Sequence, residues 1–368
     1  MHLTIPRAAL LPALTRAAQV ADSKSTLPIL ACALLRADAK RLTVAGSDLN
    51  LHAATTLPAT IRKAGAICLD AKRLTTTVAN LPEGDIDLTV DGTVLVIKAG
   101  RSTTRLVGMT ATDYPKLPDE RAVAYVAVSG PDVAALLDRT LFSVCRDETR
   151  LHLASVYLDA RGPTTMVSTD GHRLSKAVRP LAAMATGAEG VILPKAGAAA
   201  LLKLARDATS LEWGLGGSPR HLFARVDGAV LAIKLLDVVY PPFAQVIPGP
   251  GATRVTVDRA TLIAAVKRCG LLASDTRGLT LTVDAEADDP LVLASDNPDA
   301  GDVREGIDAE VAGPALKTGC APKFLADALN AMTADRVTID LKGALDAWLV
   351  RGVGNTEDEF VIMPMRLP

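Results

Sequence analysis

Apolar positions recur with helical spacing in six stretches of the chain, at 6–20, 70–80, 130–148, 194–207, 258–270 and 321–334. In three of them the pattern is the same: Leu10/Leu11/Leu14, Leu136/Leu137/Leu141 and Leu262/Ile263/Val266. Leu10, Leu136 and Leu262 lie 126 residues apart each time, which marks an internal repeat. Asp132 and Asp258 fall in the first turn of their helices, where a carboxylate suits the positive end of the helix dipole. Between the two helices of each repeat an apolar strand ends in a hydroxyl–carboxylate pair: Ser47-Asp48, Thr169-Asp170 and Ser295-Asp296. After the second helix the period changes to two. Ile86, Leu88 and Val90 lead into Asp91-Gly92, and Val337, Ile339 and Leu341 lead into Lys342-Gly343, both hairpin signals. The segments DYPKLP around Tyr114 and VYPPFAQVIP around Tyr240 close the first two repeats. The pattern predicts an α+β chain of three similar domains, 1–121, 122–249 and 250–368, each with two helices on antiparallel sheets.

Composition narrows the function classes. Apolar residues make up 49% of the 368 and charged residues 22%, which excludes a disordered or fibrous chain. Forty Lys and Arg against forty-one Asp and Glu exclude a uniformly basic coat protein, though not a basic patch. Aromatics at 3% argue against a stacking platform for single strands. The six helical stretches carry thirteen Lys/Arg against eight Asp/Glu, so the remainder is acidic. This points either to ordinary solvated helix faces or to a shared basic surface for phosphates. Five cysteines without a C-x-x-C pair suggest reduced, buried thiols in a cytosolic protein and no zinc framework. No apolar run reaches the ~18–20 residues that span a bilayer. The acid-poor first 21 residues read as a domain helix, because Arg16 interrupts them and their pattern recurs.

Catalytic signals are weak. The chain has no phosphate-binding GxxxxGK[ST] loop, no G-x-G-x-x-G after a strand, no H-E-x-x-H and no G-x-S-x-G. The run from Gly214 to Gly217 lies between strand-like segments and reads as a turn, and the five histidines lack metal-ligand spacing. Thr169-Asp170-Gly171-His172-Arg173 alone resembles chemistry, since a carboxylate near an imidazole could serve a hydrolase. Asp170 is also the repeat partner of Asp48 and Asp296, where no histidine follows, so the turn-forming reading is favoured. No metal, cofactor or catalytic residue is expected.

STLPIL (25–30), GSDL (46–49), LPEG (81–84), TDGHRL (169–174), YPPFAQVIP and the terminal VIMPMRLP together resemble the bacterial DNA polymerase III beta subunit, the sliding clamp, over the whole chain and in order. That resemblance implies a non-catalytic, head-to-tail homodimeric ring around duplex DNA, in the cytoplasm at the nucleoid. It implies a replicative polymerase and an ATP-driven clamp loader as partners, with repair polymerases, mismatch-repair and ligase-type proteins joining through short linear motifs. DNA contacts carried over from the family fall on Lys24, Lys72, Arg73, Arg146, Arg150, His152 and Lys195. A partner-peptide groove falls on Leu153, Thr169, Gly171, His172, Arg173, Leu174, Pro241, Gln245, Val246, Phe324, Leu345, Val361, Met363, Pro364, Met365, Arg366 and Leu367. The chain departs from the family pattern at Gln245 for an arginine, Ala321 for an asparagine, and Leu151-His152 for paired tyrosines. It also has Lys24 for an arginine and carries the additional terminal Pro368. A specialised second clamp for a repair polymerase or plasmid remains an alternative, as does a hydrolase built on Asp170 and His172.

Overall fold

The structure is a computed structural model that describes residues 1–184, 190–273 and 278–366. All six helical stretches form: α1 (Arg7–Val20), α2 (Ala71–Ala79), α3 (Gly130–Thr140), α4 (Lys195–Arg206), α5 (Arg259–Gly270) and α6 (Pro322–Ala331). Asp70 caps α2 by accepting the Arg73 N–H at 2.7 Å, and Asp258 caps α5 by accepting the Thr261 N–H at 2.7 Å. The third stretch is shorter than its periodicity predicts. It ends at Thr140, tightens into a single 3-10 turn at Leu141–Ser143, and leaves Arg146, Asp147 and Glu148 in a loop. Among the described residues no helix is long and apolar enough to cross a membrane.

The three repeats pack into two compact units, and the sheets show why. One unit comprises Met1–Pro131 with Ala199–Leu235, the other Asp132–Ala198 with the chain from Leu236 onward. In the first unit an eight-stranded antiparallel sheet runs from Val126–Ser129 through Ser210–Gly216, His221–Val226 and Ala229–Lys234. It continues without a break into Leu51–Pro58, Arg41–Ser47, Cys32–Asp38 and Gly65–Asp70. The seam is the ladder Ala229↔Thr55 to Ile233↔Leu51, which joins strands of different repeats. A five-stranded sheet ending at Ser102–Val107 completes this unit. In the second unit the seam is Asp358↔Ala177 to Ile362↔Arg173, inside a nine-stranded sheet, beside a four-stranded sheet ending at Gly301–Ile307. Backbone hydrogen bonds therefore split the middle repeat between the units.

Each unit has a core between helices and sheets. Leu3, Leu10, Leu14, Leu35, Leu74 and Leu88 fill the first, and Val255, Leu262, Leu281, Leu325, Ile339 and Trp348 the second, all at most 1% exposed. Helix α1 lies so close to the Arg41–Ser47 strand that a Cβ on Gly46 would sit 2.1 Å from the Ala17 carbonyl oxygen, hence glycine there. The five cysteines are buried free thiols.

The two seams differ in what they bury. The second holds an ion-pair network: Asp358, 4% exposed, accepts from Arg139 Nε at 2.7 Å and from Arg179 Nη1 at 2.8 Å. Burial pushes the Asp358 carboxyl up, but hydrogen bonds and attraction from Arg179, Asn355 and Arg139 outweigh it and hold it below its ordinary range. The first seam holds two imidazoles, His52 and His221, 6% and 4% exposed, with ring centroids 5.9 Å apart. His52 Nδ1 pairs with Ser47 Oγ at 2.8 Å, and His221 Nδ1 donates to the Pro219 carbonyl at 2.7 Å. Burial, then the neighbouring His221, pulls His52 down to about 4 despite the opposing pull of Asp48. Below its unfolded value near 6.5, the unfolded chain binds a proton that folded His52 refuses. Stability in the first unit should therefore fall as pH drops from 6.5 towards 4, by about 2 to 3 kcal/mol from His52. Denaturant titrations at pH 7, 5.5 and 4.5 should show this slope flattened in His52→Leu, which installs the residue found at the matching position of the second seam, Leu174.

Candidate functional site

The turn between the Thr164–Thr169 and Arg173–Arg179 strands organises the site, and side-chain oxygens build it. Thr169 Oγ1 accepts the Gly171 N–H at 3.1 Å and donates to the Arg173 carbonyl at 2.6 Å. Asp170 Oδ1 accepts the His172 and Arg173 N–H groups at 3.0 and 3.1 Å. Gly171 sits at φ +91°, which favours glycine. The same skeleton occurs in the first repeat, where Ser47 Oγ accepts the Leu49 N–H and Asp48 accepts those of Asn50 and Leu51, with Leu49 at φ +77°. Asp170 is thus a turn former, as favoured from the sequence. Its other oxygen takes Arg173 Nε at 3.0 Å, so the carboxylate is committed and the hydrolase reading loses its orienting group. The third repeat differs: Ser295 and Asp296 lie within the Leu291–Asn297 strand, and the reversal follows at Asn297–Ala300.

Arg173 turns inward and is 7% exposed. Nη1 donates to Asp327 of α6 at 2.7 Å and Nη2 to the Phe142 carbonyl at 2.7 Å, while the guanidinium lies 4.8 Å from the Phe324 ring centroid and 5.3 Å from that of Phe142. With every nitrogen engaged, Arg173 braces the turn from beneath. His172 stacks on Phe324 at 6.3 Å, and its carbonyl accepts the Met363 N–H at 2.9 Å. The chain's last described segment is thereby fastened to the turn. Met365 N–H reaches the Gly319 carbonyl at 2.8 Å, and its sulfur packs where a Cβ on Gly278 would lie.

Beneath this surface Leu174 pairs with Val361 in a buried cluster with Val167 and Leu349, flanked by Tyr157, Tyr240 and Phe243. Tyr240 donates to the Val167 carbonyl at 3.3 Å, two residues before Thr169, as Tyr114 donates to the Ala45 carbonyl at 3.2 Å, two residues before Ser47. Burial raises the Tyr240 phenol well above its ordinary value, so it stays a neutral donor. Leu153, Leu174 and Val361 form floor rather than open wall, at 4%, 3% and 1% exposed. Met363, Val246 and Leu345 are exposed apolar side chains, Gln245 and Arg366 are exposed polar ones, and Pro241, Pro364 and Met365 are half-buried. Leu367 and Pro368 lie outside the described residues. Sequence reading missed Phe142, Asp327, Tyr157 and Phe243. Only Phe243 had a signal, its place in the YPPF run.

The cations divide into two groups. In the first unit Lys24, Lys72 and Arg73 are exposed, and Lys72 Nζ donates to Ser23 Oγ at 3.1 Å, which brings the start of α2 to the loop bearing Lys24. In the second unit Arg146, Arg150 and Lys195 are exposed and His152 is half-buried. The Lys195 N–H joins the Ala154 carbonyl at 3.2 Å, placing the start of α4 beside the 145–154 loop. Arg150 leans on the Thr169–Arg173 turn, its Nη2 3.8 Å from where a Gly171 Cβ would be, so it borders the groove. Counting helix cations overstates the basic face. Arg7 is held by Glu83 and α2 carbonyls, Arg139 by Asp358, Arg259 by the Ala334 and Leu329 carbonyls, Arg268 by Glu305, and Lys323 by Asp327.

Comparison with known proteins matches this arrangement along its whole length. Family models described as the N-terminal, central and C-terminal domains of the DNA polymerase III beta subunit match residues 1–118, 127–242 and 244–366. The beta sliding clamps of Pseudomonas putida and Caulobacter vibrioides are each 30% identical, over the full length of both chains. The crystal structure of the DNA polymerase III subunit beta from Pseudomonas aeruginosa superposes with a TM-score of 0.93 at 28% identity, covering all of both chains. The beta sliding clamp structure from C. crescentus gives 0.91 at 30% identity, covering 100% of this chain and 99% of that one. Three repeated α+β domains, a turn with no catalytic geometry and these full-length matches lead to one conclusion: the chain belongs to the DNA polymerase III beta subunit family, the sliding clamps, which are non-catalytic processivity factors of DNA replication.

Proposed function

We propose that two copies of this chain, with domains at 1–121, 122–249 and 250–368, close head to tail into a ring around duplex DNA. The observation that carries this is the repeated seam. The last strand of one repeat's hairpin pairs with the third strand of the preceding repeat, as Ala229–Lys234 does with Leu51–Pro58 and Asp358–Ile362 with Arg173–Arg179. By repeat position the counterparts of these seam strands that lack such a partner among the described residues are Ser102–Val107 and Gly301–Ile307, each at an edge of its sheet. An open edge is a template for pairing, and a head-to-tail interface that rotates to closure makes a ring. Transferring the internal register gives Ser102↔Gly306, Thr104↔Arg304 and Leu106↔Asp302 between copies. Val107 and Leu271, 78% and 79% exposed, are large apolar side chains that such an interface would cover.

A ring retains DNA by topology, so its attraction for phosphates can stay weak and sequence-independent, in the ~10⁻⁴–10⁻⁶ M range typical of non-specific binding. Lys24, Lys72, Arg73, Arg146, His152 and Lys195 serve in that role, with Arg150 between the DNA-side loop and the groove. The slot over Leu174 and Val361, walled by Met363, Val246 and Leu345, takes short linear peptides. Methionine and leucine suit a slot that re-packs around several related sequences. Its occupants are the replicative polymerase, the ATP-driven clamp loader and, through similar motifs, repair polymerases, mismatch-repair and ligase-type proteins. The setting is the bacterial cytoplasm, at the nucleoid.

Two outcomes follow. Replacing Lys24, Lys72 and Arg73 together by Ala should weaken DNA loading without changing sequence preference. It should also flatten the log–log salt slope by roughly 0.9 for each phosphate left without its cation. Sequence-specific or salt-indifferent binding would refute sliding. Removing residues 363–368 should abolish binding of a polymerase-derived motif peptide while circular dichroism stays native, because the Asp358–Ile362 strand remains in its ladder. Micromolar binding is ~8 kcal/mol, and a central anchor contributes ~2 kcal/mol or more. The exposed change Val246→Asp should weaken the same peptide on an undisturbed fold. Normal titrations in both variants would refute the groove.

A further inference from the structure

The first seam is built on the skeleton of the second but is filled differently, and the difference leaves a cavity. Arg16 in α1 stands 126 residues before Phe142, and Ala13 the same distance before Arg139. Ala229 pairs with Thr55 as Asp358 pairs with Ala177, so Ala229 and Leu231 occupy the places of Asp358 and Phe360. In the second unit that space is closed by the Arg139–Asp358 ion pair and by the Phe142 and Phe360 rings, stacked at 6.1 Å. In the first unit Ala229, Leu231 and Arg16 line the same space without filling it. What remains is a cavity of about 560 Å³ bounded by α1, the C-terminal part of α4 and the two seam strands, its lining residues all within one compact unit.

Its size is that of a small-ligand site. The walls are largely aliphatic, including Leu11, Leu204, Val230 and Leu231, and among the described residues no aromatic ring lines them, which disfavours a stacked base. Arg16 lines the cavity, half-buried, with Nε donating to Thr55 Oγ1 at 3.3 Å. Burial pulls the Arg16 guanidinium down from its usual value, while attraction from Asp207 and Asp227, which also line the cavity, opposes it. Lys203 and Arg206 also line the cavity, so its three cations exceed its two carboxylates. In the second seam Arg139 has Asp358 beside it; at the matching positions of the first stand Ala13 and Ala229, so the seam strand offers Arg16 no carboxylate at that place.

We propose that this cavity binds a small amphipathic monoanion, a carboxylate or sulfonate on an apolar body, with the anionic group at Arg16 and the body against Leu11, Leu204 and Val230. A ligand there touches α1 and the seam strand Ala229–Lys234 together and so ties two repeats. The site is independent of the partner-peptide groove, which lies in the other unit.

The test is fluorescence titration of the full chain with anilinonaphthalenesulfonate, alongside the neutral N-phenylnaphthylamine. The expected result is one saturable site for the sulfonate whose Kd rises at least tenfold in Arg16→Met and, by filling the space, in Ala200→Phe. Arg16→Lys should stay within a few-fold of the parent. The neutral probe should bind at least tenfold more weakly and ignore Arg16→Met. Circular dichroism checks that each variant is folded, and Ala200→Phe decides the matter should Arg16→Met fail to fold. No saturable sulfonate site, a Kd unchanged in either folded variant, or equal affinity for the neutral probe would overturn the proposal.

Discussion

A β-strand whose hydrogen-bonding edge faces outward is a template for pairing, and at the two internal seams of this chain the partner lies in another repeat. Ala229–Lys234 finds Leu51–Pro58, and Asp358–Ile362 finds Arg173–Arg179. Those two ladders fuse sheets that sequence periodicity alone would assign to separate domains, which is why three repeats condense into two compact units. The same property, applied to the strands left at the sheet edges, favours assembly from a second copy. Function in a clamp follows from that continuity, since a ring that holds DNA by topology is only as secure as its seams.

The two internal seams show how one backbone plan diverges in chemistry. Both use a hydroxyl–carboxylate turn, and both lock a tyrosine to the carbonyl two residues before it. Over the second seam Leu174, Val361 and Leu349 make an apolar floor with aromatic flanks, and the fastened tail beside it leaves Met363 in reach of a partner. At the first seam His52 stands where Leu174 does and pairs with His221, so the matching floor is polar. On the helix side the contrast reverses: ion pair and stacked rings close the second seam, and a cavity opens in the first. The peptide slot is thus a property of one seam's side chains and not of the repeat.

Much of this was legible in the sequence. The 126-residue spacing of Leu10, Leu136 and Leu262 exposed the repeats, and the position of Asp170 opposite Asp48 identified a turn former before its hydrogen bonds were seen. What periodicity could not reveal is who pairs with whom. Strand partners 174 to 182 residues apart leave no local trace, so neither the fused sheets nor the inward path of Arg173 to Asp327 was foreseeable. Charge counting failed for a related reason: Arg7, Arg139, Arg259 and Arg268 look like surface cations in a helix pattern, yet carbonyls and carboxylates distant in sequence hold them. The third repeat kept its Ser-Asp pair but moved its reversal to Asn297–Ala300, a change invisible when only the pair is aligned.

The proposed ring requires that two of the edge strands, Ser102–Val107 and Gly301–Ile307, complete each other between copies in the register of the internal seams. Cross-linking tests this directly, because all five native cysteines are buried. A chain carrying both Thr104→Cys and Arg304→Cys, oxidised gently and run without reductant, should form a covalently closed dimer. The same chain should remain on nicked circular DNA through a high-salt wash and leave when the circle is cut. A monomeric mass in solution, with no more cross-linking than in either single-cysteine variant, would contradict the account.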